Sequence, residues 1–152
     1  ARSTPLRGRR VIVPDINLLV YAHNEAAAFH ERARDWWQEQ MAGPTPVAIP
    51  WVVVFGFIRL VTHPAILTAP LAPGEALDRV DDWFGQEHVR VLVPGPRHLQ
   101  IARDLFRATG VGGGLTTDTH LATLAIEHGA EFHSNDHDFE RFPGLRLRNP
   151  LS

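Results

Sequence analysis

Short apolar runs alternate with longer amphipathic segments along most of the chain. Five runs are brief and mostly rich in β-branched residues, which is typical of buried strands, whereas the segments between them repeat apolar positions at helical spacing. The predicted strands are Val11–Val13, Val47–Ile49, Val89–Val93, Glu131–Ser134 and Leu145–Arg148. This alternation predicts an α/β fold with a mostly parallel central sheet of four to five strands and helices on both faces.

The intervening segments predict six helices and one further helical turn. They are Ile16–Ala22, Ala26–Met41, Pro50–Leu60, Glu75–Phe84, Arg97–Thr109 and Thr117–His128, with the turn at Phe139–Phe142. Gly112–Gly114 is interpreted as a flexible link, after which Thr117 can cap the sixth helix. Aromatic residues at helical spacing are expected mainly in the core or a subunit interface rather than stacked on bases: Trp36, Trp37, Trp51, Phe55 and Phe57.

The composition suits one globular domain. With 152 residues, 44% of them hydrophobic, the chain supports a single core and leaves no room for a second domain. It contains no cysteine, which excludes a disulfide framework, a thiolate nucleophile and a zinc ribbon. A net charge of -2 excludes the global basic field of a protein that coats nucleic acid nonspecifically.

Residues Ala1–Arg10 differ from the remainder because they are polar and lack a hydrophobic period. We interpret them as a leader of expression or processing origin and expect residues 11–152 to form the single domain. The apolar run Val11–Val13 is too short for a signal peptide, and the longest apolar run, Trp51–Ile58, is too short to cross a bilayer. A cytoplasmic protein without membrane contact is therefore expected.

Four aspartates are placed by this pattern near one edge of the sheet. Asp15 follows the first strand, Asp136 and Asp138 follow the fourth, and Asp118 lies in the first turn of the helix before it. The carboxyl ends of parallel strands form the ligand-binding edge of such sheets. Each aspartate alone would more often be a helix cap, so the predicted convergence is the informative feature.

Carboxylates held together repel one another unless a divalent cation lies among them. Oxygen ligands without cysteine select a hard ion, Mg²⁺ or Mn²⁺. Such an ion can activate water and stabilise the charge that develops on a phosphodiester, so no protein nucleophile is required. The pattern is thus compatible with a metal-dependent nuclease.

Five segments, in their order along the chain, resemble a known family. They are Pro14–His23, Gly56–Pro64, Thr117–Ala122, Ala125–Gly129 and Ser134–Gly144, the last containing Asp-x-Asp-Phe followed by Arg-Phe-Pro-Gly. Together they resemble the PIN-domain nucleases, and among them the VapC toxins of bacterial toxin-antitoxin systems. The resemblance implies a PIN-like three-layer sandwich, endoribonuclease activity on RNA, neutralisation by a cognate antitoxin protein, and a homodimer.

The resemblance also implies roles for individual residues. The family's metal-binding acids correspond to Asp15, Asp118 and Asp136. A fourth catalytic acid corresponds to Asp138, which either binds a second ion or lies outside the direct ligands of the first. Around these carboxylates we expect three hydrogen-bonding residues: Asn17, Thr117 and Ser134.

One position departs from the family pattern. Many members carry a glutamate where this chain has Gly56. Three consequences are open: a water molecule replaces that ligand, Asp138 contributes more to metal binding, or the metal binds more weakly. The departure motivates an alternative function, a catalytically weak or inactive PIN module that binds RNA or a partner protein.

Other chemistries fit less well. The nine histidines include no His-Glu-x-x-His zinc motif, and we expect them on the surface or in hydrogen bonds. A phosphatase of the haloacid dehalogenase kind would need a second acid at Asn17 and usually a lysine, which the chain lacks. Arg59, Arg97 and Arg141 could contact RNA phosphate, although exposed or salt-bridged arginines are more common.

Overall fold

The computed structural model describes residues 10–152, which form a five-stranded sheet flanked by helices. The strands are β1 Ile12–Pro14, β2 Val47–Pro50, β3 Val89–Leu92, β4 Glu131–His133 and β5 Arg146–Arg148. Their order in the sheet is β3-β2-β1-β4-β5, and every neighbouring pair is parallel. The predicted α/β class is confirmed, and each predicted strand agrees with its observed bounds to within one residue.

Six α-helices and two 3₁₀ helices connect the strands. The α-helices are α1 Ile16–His23, α2 His30–Ala42, α3 Trp51–Val61, α4 Pro73–Phe84, α5 His98–Thr109 and α6 Thr116–Glu127; the 3₁₀ helices are Gly113–Leu115 and His137–Arg141. The prediction that the second helix begins at Ala26 was wrong. The side-chain Oδ1 of Asn24 accepts a hydrogen bond from the backbone of Ala26 at 3.2 Å, and this turn delays the helix to His30.

The start of α6 also differs from the prediction. Gly112–Gly114 is not simply a flexible link, because Gly113–Leu115 forms a 3₁₀ turn that runs directly into the helix. The capping position is consequently Leu115, and Thr117 lies inside the helix instead of capping it. Asp118 nevertheless remains in the first turn of α6, as predicted.

The side of β1 on which successive strands are added changes between β3 and β4. Connections from β1 to β2 to β3 move outwards on one side, whereas the next connection returns past β1 to place β4 on its other side. Because parallel crossovers are right-handed, α1–α4 cover one face of the sheet and α5–α6 the other. Packing of α1 on α2 and α3, of α3 on α4, and of α5 on α6 agrees with this three-layer arrangement.

The aromatic side chains fill the layer of α1–α4 only in part. Trp36, Trp37 and Phe57 are buried, which confirms the core prediction for these residues. Trp51 and Phe55, by contrast, are 51% and 63% exposed on α3. The core part of the prediction is therefore confirmed for Trp36, Trp37 and Phe57, and a subunit interface stays the prediction for Trp51 and Phe55.

Arg10, the last residue of the predicted leader, contacts the domain. Arg10 is held to the domain by an ion pair between its guanidinium and the Glu131 carboxylate, at 3.1 Å. The rest of the predicted leader, residues 1–9, lies outside the described residues. Over residues 10–152, no helix has both the length and the apolar character needed to cross a membrane.

Gly56 lies where α3 crosses the start of α1. A Cβ atom at this position would lie 2.6 Å from Cδ1 and 3.1 Å from Cγ1 of Ile16, closer than carbon atoms pack. Ile16 is the first residue of α1 and directly follows Asp15. The place of the family glutamate is therefore filled by a neighbouring aliphatic side chain, and a side chain at residue 56 would require Ile16 to shift.

We expect Gly56→Ala to lower the free energy of unfolding by about 1 kcal/mol. The overlap with Ile16 costs about 1–3 kcal/mol, and the better helix propensity of alanine offsets up to about 1 kcal/mol of that. In an Ile16→Val background the Cδ1 atom is gone, so the same substitution should be neutral or stabilising. Urea unfolding of the two single variants and the double variant measures this coupling. An equal cost of Gly56→Ala in both backgrounds would contradict the contact.

Candidate active site

Asp15 is a buried carboxylate held between the two central strands. It follows β1 and caps α1, where its Oδ1 accepts a hydrogen bond from the backbone N–H of Ile16 at 2.8 Å. Its own backbone N–H donates to the carbonyl of His133 at 2.9 Å, which continues the pairing of β1 with β4. Only 5% of Asp15 is exposed. The carboxylate is thus fixed in position by the sheet edge and the helix start.

Ser134 connects Asp15 to Asp136. Its buried hydroxyl donates to Oδ2 of Asp15 at 2.7 Å and accepts from the backbone N–H of Asp136 at 3.0 Å. Asp136 in turn caps the following 3₁₀ helix, since its Oδ1 accepts from the backbone N–H of Asp138 at 2.9 Å. One hydroxyl therefore couples the position of a carboxylate after β1 to that of another after β4.

Three carboxylates come together at this edge. One oxygen from each of Asp118, Asp136 and Asp138 lies within 4.8 Å of the others. Ligands of an octahedral Mg²⁺ at about 2.1 Å are about 3–4 Å apart, so small side-chain adjustments would bring all three oxygens onto one ion. The donor set consists of hard oxygens only, which fits Mg²⁺ or Mn²⁺.

Asp15 is not part of this three-carboxylate group, although it was predicted as a metal ligand together with Asp118 and Asp136. Both of its oxygens are engaged by Ile16 and Ser134. Its charge is still close to the others, because Asp118 and Asp136 each contribute to raising its pKa. Asp138, expected as the fourth acid, takes the third place in the group.

The electrostatics of the site disfavour the ionised forms of Asp15 and Asp118. Burial raises the pKa of Asp15 to about 6, its hydrogen bonds to Ser134 and Ile16 oppose the shift, and the charges of Asp118 and Asp136 add to it. Burial also raises the pKa of Asp118, with further contributions from Asp136 and Asp138. A cation among these groups would reverse the effect by favouring their ionised forms.

Two other predicted positions make no comparable contacts. Asn17 and Thr117 are exposed, and within residues 10–152 neither side chain forms a hydrogen bond. Ser134 is the one of the three expected hydrogen-bonding residues that lies between the acids. Arg141 is salt-bridged: its guanidinium lies 3.0 Å from Oδ1 of Asp138.

A buried histidine below the site was not predicted. His133, at the end of β4, is 1% exposed. Its Nδ1 accepts a hydrogen bond from Nε1 of Trp36 at 3.1 Å, so Nε2 carries the proton and donates to Glu131 at 2.7 Å. This network ties α2 to the strand that carries Ser134. Sequence periodicity marked Trp36 as core but could not indicate its partner.

The chain matches a known domain family over most of its length. Residues 12–145 match the PIN domain family. Ribonuclease VapC33 of Mycobacterium tuberculosis is 43% identical over 141 residues, which cover 93% of this chain and 99% of the relative. Ribonuclease VapC48 of the same organism is 36% identical over 139 residues, covering 91% of this chain and 96% of the relative.

Solved structures share the fold at low sequence identity. VapBC2 from Rickettsia felis, bound to a DNA fragment from its promoter, gives a TM-score of 0.66 at 19% identity, covering 91% of this chain and 98% of that one. VapC20 of Mycobacterium tuberculosis, described as a sarcin-ricin loop cleaving toxin, gives 0.62 at 19% identity, covering 89% and 98%. At this identity the likeness extends to the fold alone.

The raised pKa of Asp15 predicts a pH-dependent stability in EDTA. Because the folded state keeps a proton that the unfolded state releases near the ordinary pKa of 3.8, this stabilisation is complete below pH 3.8 and is lost as the pH rises through about 6. At pH 7.5, Asp15→Asn should therefore be more stable than the wild type by about 1–3 kcal/mol, after allowance for weakened hydrogen bonds.

Urea unfolding between pH 4 and pH 8 measures this difference. Asp78→Asn, an exposed position on α4, is the matched control and should follow the wild type throughout. If the stability difference between Asp15→Asn and the wild type does not grow with pH, the ionised Asp15 carboxylate does not destabilise the folded state.

Proposed function

The chain belongs to the PIN-domain family, and from this membership and its site we propose that it is a divalent-metal-dependent endoribonuclease, the toxin of a VapBC-type toxin-antitoxin pair. The observation that carries the proposal is the convergence of four aspartates from three distant segments at the crevice between β1 and β4. Ligands bind at such a reversal point in open α/β sheets. The relatives that cover nearly the whole chain are named ribonucleases.

The acidic charge of the site supports a cation-dependent reaction. A phosphodiester is an anion, and the carboxylates of Asp15, Asp118, Asp136 and Asp138 would repel it. We propose that Asp118, Asp136 and Asp138 hold a Mg²⁺ or Mn²⁺ ion, with Asp15 as the adjacent buried carboxylate. When bound, such an ion supplies an activated water and stabilises charge on the phosphate oxygens.

The chain's own residues then have three tasks. Asp15 contributes negative charge from a fixed, nearly dry position, which strengthens the site's attraction for a cation. Ser134 orients Asp15 and the backbone of Asp136 at the same time. Asp136 holds the first turn of the 3₁₀ helix, so that Asp138 stays beside Asp118.

The partners follow from the family. We propose an RNA substrate, an antitoxin protein that blocks the site, and a homodimer acting in the cytoplasm. The support is that a solved toxin-antitoxin complex from Klebsiella pneumoniae has the same fold. The PIN match at residues 12–145 supports our proposal that residues 11–152 form a single domain.

A second candidate function is a weak or inactive PIN module that binds RNA or a partner protein. The observation in its favour is Gly56, whose missing side chain is replaced in space by Ile16 rather than by another acid. The site therefore has one carboxylate fewer than the common family pattern.

Cleavage of total RNA by the purified chain tests the nuclease function. Asp118→Asn and Asp136→Asn should each lower the cleavage rate about a hundredfold or more, because each removes a charge that stabilises the reacting phosphate through the ion. EDTA should abolish cleavage in the wild type. Asp78→Asn, which removes an exposed acid on α4, should cleave like the wild type. Full activity in Asp136→Asn would show that this site is not the nuclease centre.

Calorimetric titration with Mn²⁺ separates the two candidate functions. For the nuclease we expect saturable binding at micromolar to millimolar Mn²⁺ in the absence of RNA, weakened in Asp118→Asn. The inactive module predicts no binding in this range together with retained affinity for RNA in EDTA. Asp78→Asn, which removes one negative charge outside the site, is again the control.

A further inference from the structure

Arg141 is attached to Asp138 at two points. Its Nε donates to the backbone carbonyl of Asp138 at 3.0 Å, and its second terminal nitrogen donates to Oδ1 of the Asp138 carboxylate, also at 3.0 Å. Both residues belong to the 3₁₀ helix His137–Arg141, three positions apart. Arg141 therefore places a permanent positive charge beside one of the three carboxylates suited to a metal.

This charge acts on Asp118 as well as on Asp138. Among residues 10–152, Arg141 is the one arginine that forms an ion pair with Asp118, Asp136 or Asp138. It also opposes the rise in the pKa of Asp118, so its charge reaches that carboxylate too. A divalent cation that binds Asp118, Asp136 and Asp138 must therefore compete with the guanidinium for the negative charge of the Asp138 carboxylate.

The displacement requires little free energy. The side chains of Arg141 and Asp138 are 37% and 51% exposed, and pairs this accessible to water are weak. The bond from Nε to the backbone carbonyl does not involve the carboxylate, so it can persist after the cation binds. The guanidinium would then stay at the metal edge with both terminal nitrogens free, and its planar fork matches a phosphate.

Resting on the nuclease function proposed above, we propose that Arg141 competes with the divalent cation for Asp138 and, once displaced, binds a phosphate of the RNA substrate. Arg141 is then a positioning residue in the free protein and a substrate contact in the loaded one. Its charge offsets repulsion while the metal is absent, and metal binding makes the same charge available to RNA.

The direction of change in metal affinity tests the first step. Mn²⁺ is titrated into the full chain without RNA, and we expect Arg141→Gln to bind about two- to fivefold more tightly than the wild type because a competitor is gone. Arg141→Lys keeps the charge and should lie between the two. Arg103→Gln, an exposed arginine on α5, should match the wild type.

A purely structural role for Arg141 predicts the opposite sign. If the arginine served only to hold the 3₁₀ helix, its loss would disorder Asp138 and weaken Mn²⁺ binding. Unchanged or weaker binding in Arg141→Gln thus overturns the inference. If the wild type itself binds no Mn²⁺, the proposed nuclease function fails as well. If the wild type binds Mn²⁺ and cleaves RNA but Arg141→Gln has the same Mn²⁺ affinity, only the inference about Arg141 fails.

Cleavage kinetics at saturating Mn²⁺ test the second step. In Arg141→Gln, loss of a phosphate contact should raise the KM for a single-stranded RNA severalfold with a smaller change in kcat. The slope of log KM against log salt concentration should fall by about one, the amount expected for one phosphate contact. Arg141→Lys should recover part of the loss. An unchanged KM and salt dependence in Arg141→Gln would show that the displaced guanidinium does not contact RNA.

Discussion

The parallel pairing of β1 with β4 is the contact on which the site depends. It joins strands that lie more than a hundred residues apart in sequence, and at their carboxyl ends it places Asp15 beside Ser134, 119 positions away. The backbone bond from Asp15 to His133 and the side-chain bond to Ser134 extend this pairing beyond the strands. Without this pairing, Asp15 and Asp136 would not be held close to each other, and the acidic cluster would not form.

This arrangement lowers the stability of the folded state because it buries negative charge. A carboxylate with 5% exposure, close to two other acids, disfavours the folded state unless it is protonated or near a cation. The apolar packing of α1 on α3 at Gly56 and the Trp36–His133–Glu131 network stabilise the elements that carry the charge. Strain of this kind is common at functional sites, where stability is given up for a reactive arrangement.

The hydrophobic pattern was sufficient to predict the strands, because short β-branched runs and helical periods are local properties. The convergence of the aspartates was also predictable, since the order of elements in a parallel sheet fixes where strand ends lie. Which acids come closest was not. Asp138 rather than Asp15 joins Asp118 and Asp136, while Asp15 is bonded to Ser134 and Ile16, and no sequence period records such distances or bonds. The exposure of Trp51 and Phe55 likewise depends on which helix covers α3.

We propose that Asp118, Asp136 and Asp138 are arranged around a divalent cation. Anomalous diffraction from crystals of the full chain grown with Mn²⁺ tests it most directly. We expect one strong peak at about 2.0–2.3 Å from oxygens of Asp118, Asp136 and Asp138, absent from crystals of Asp118→Asn. A site without a peak at saturating Mn²⁺, or a peak elsewhere on the protein only, would contradict it.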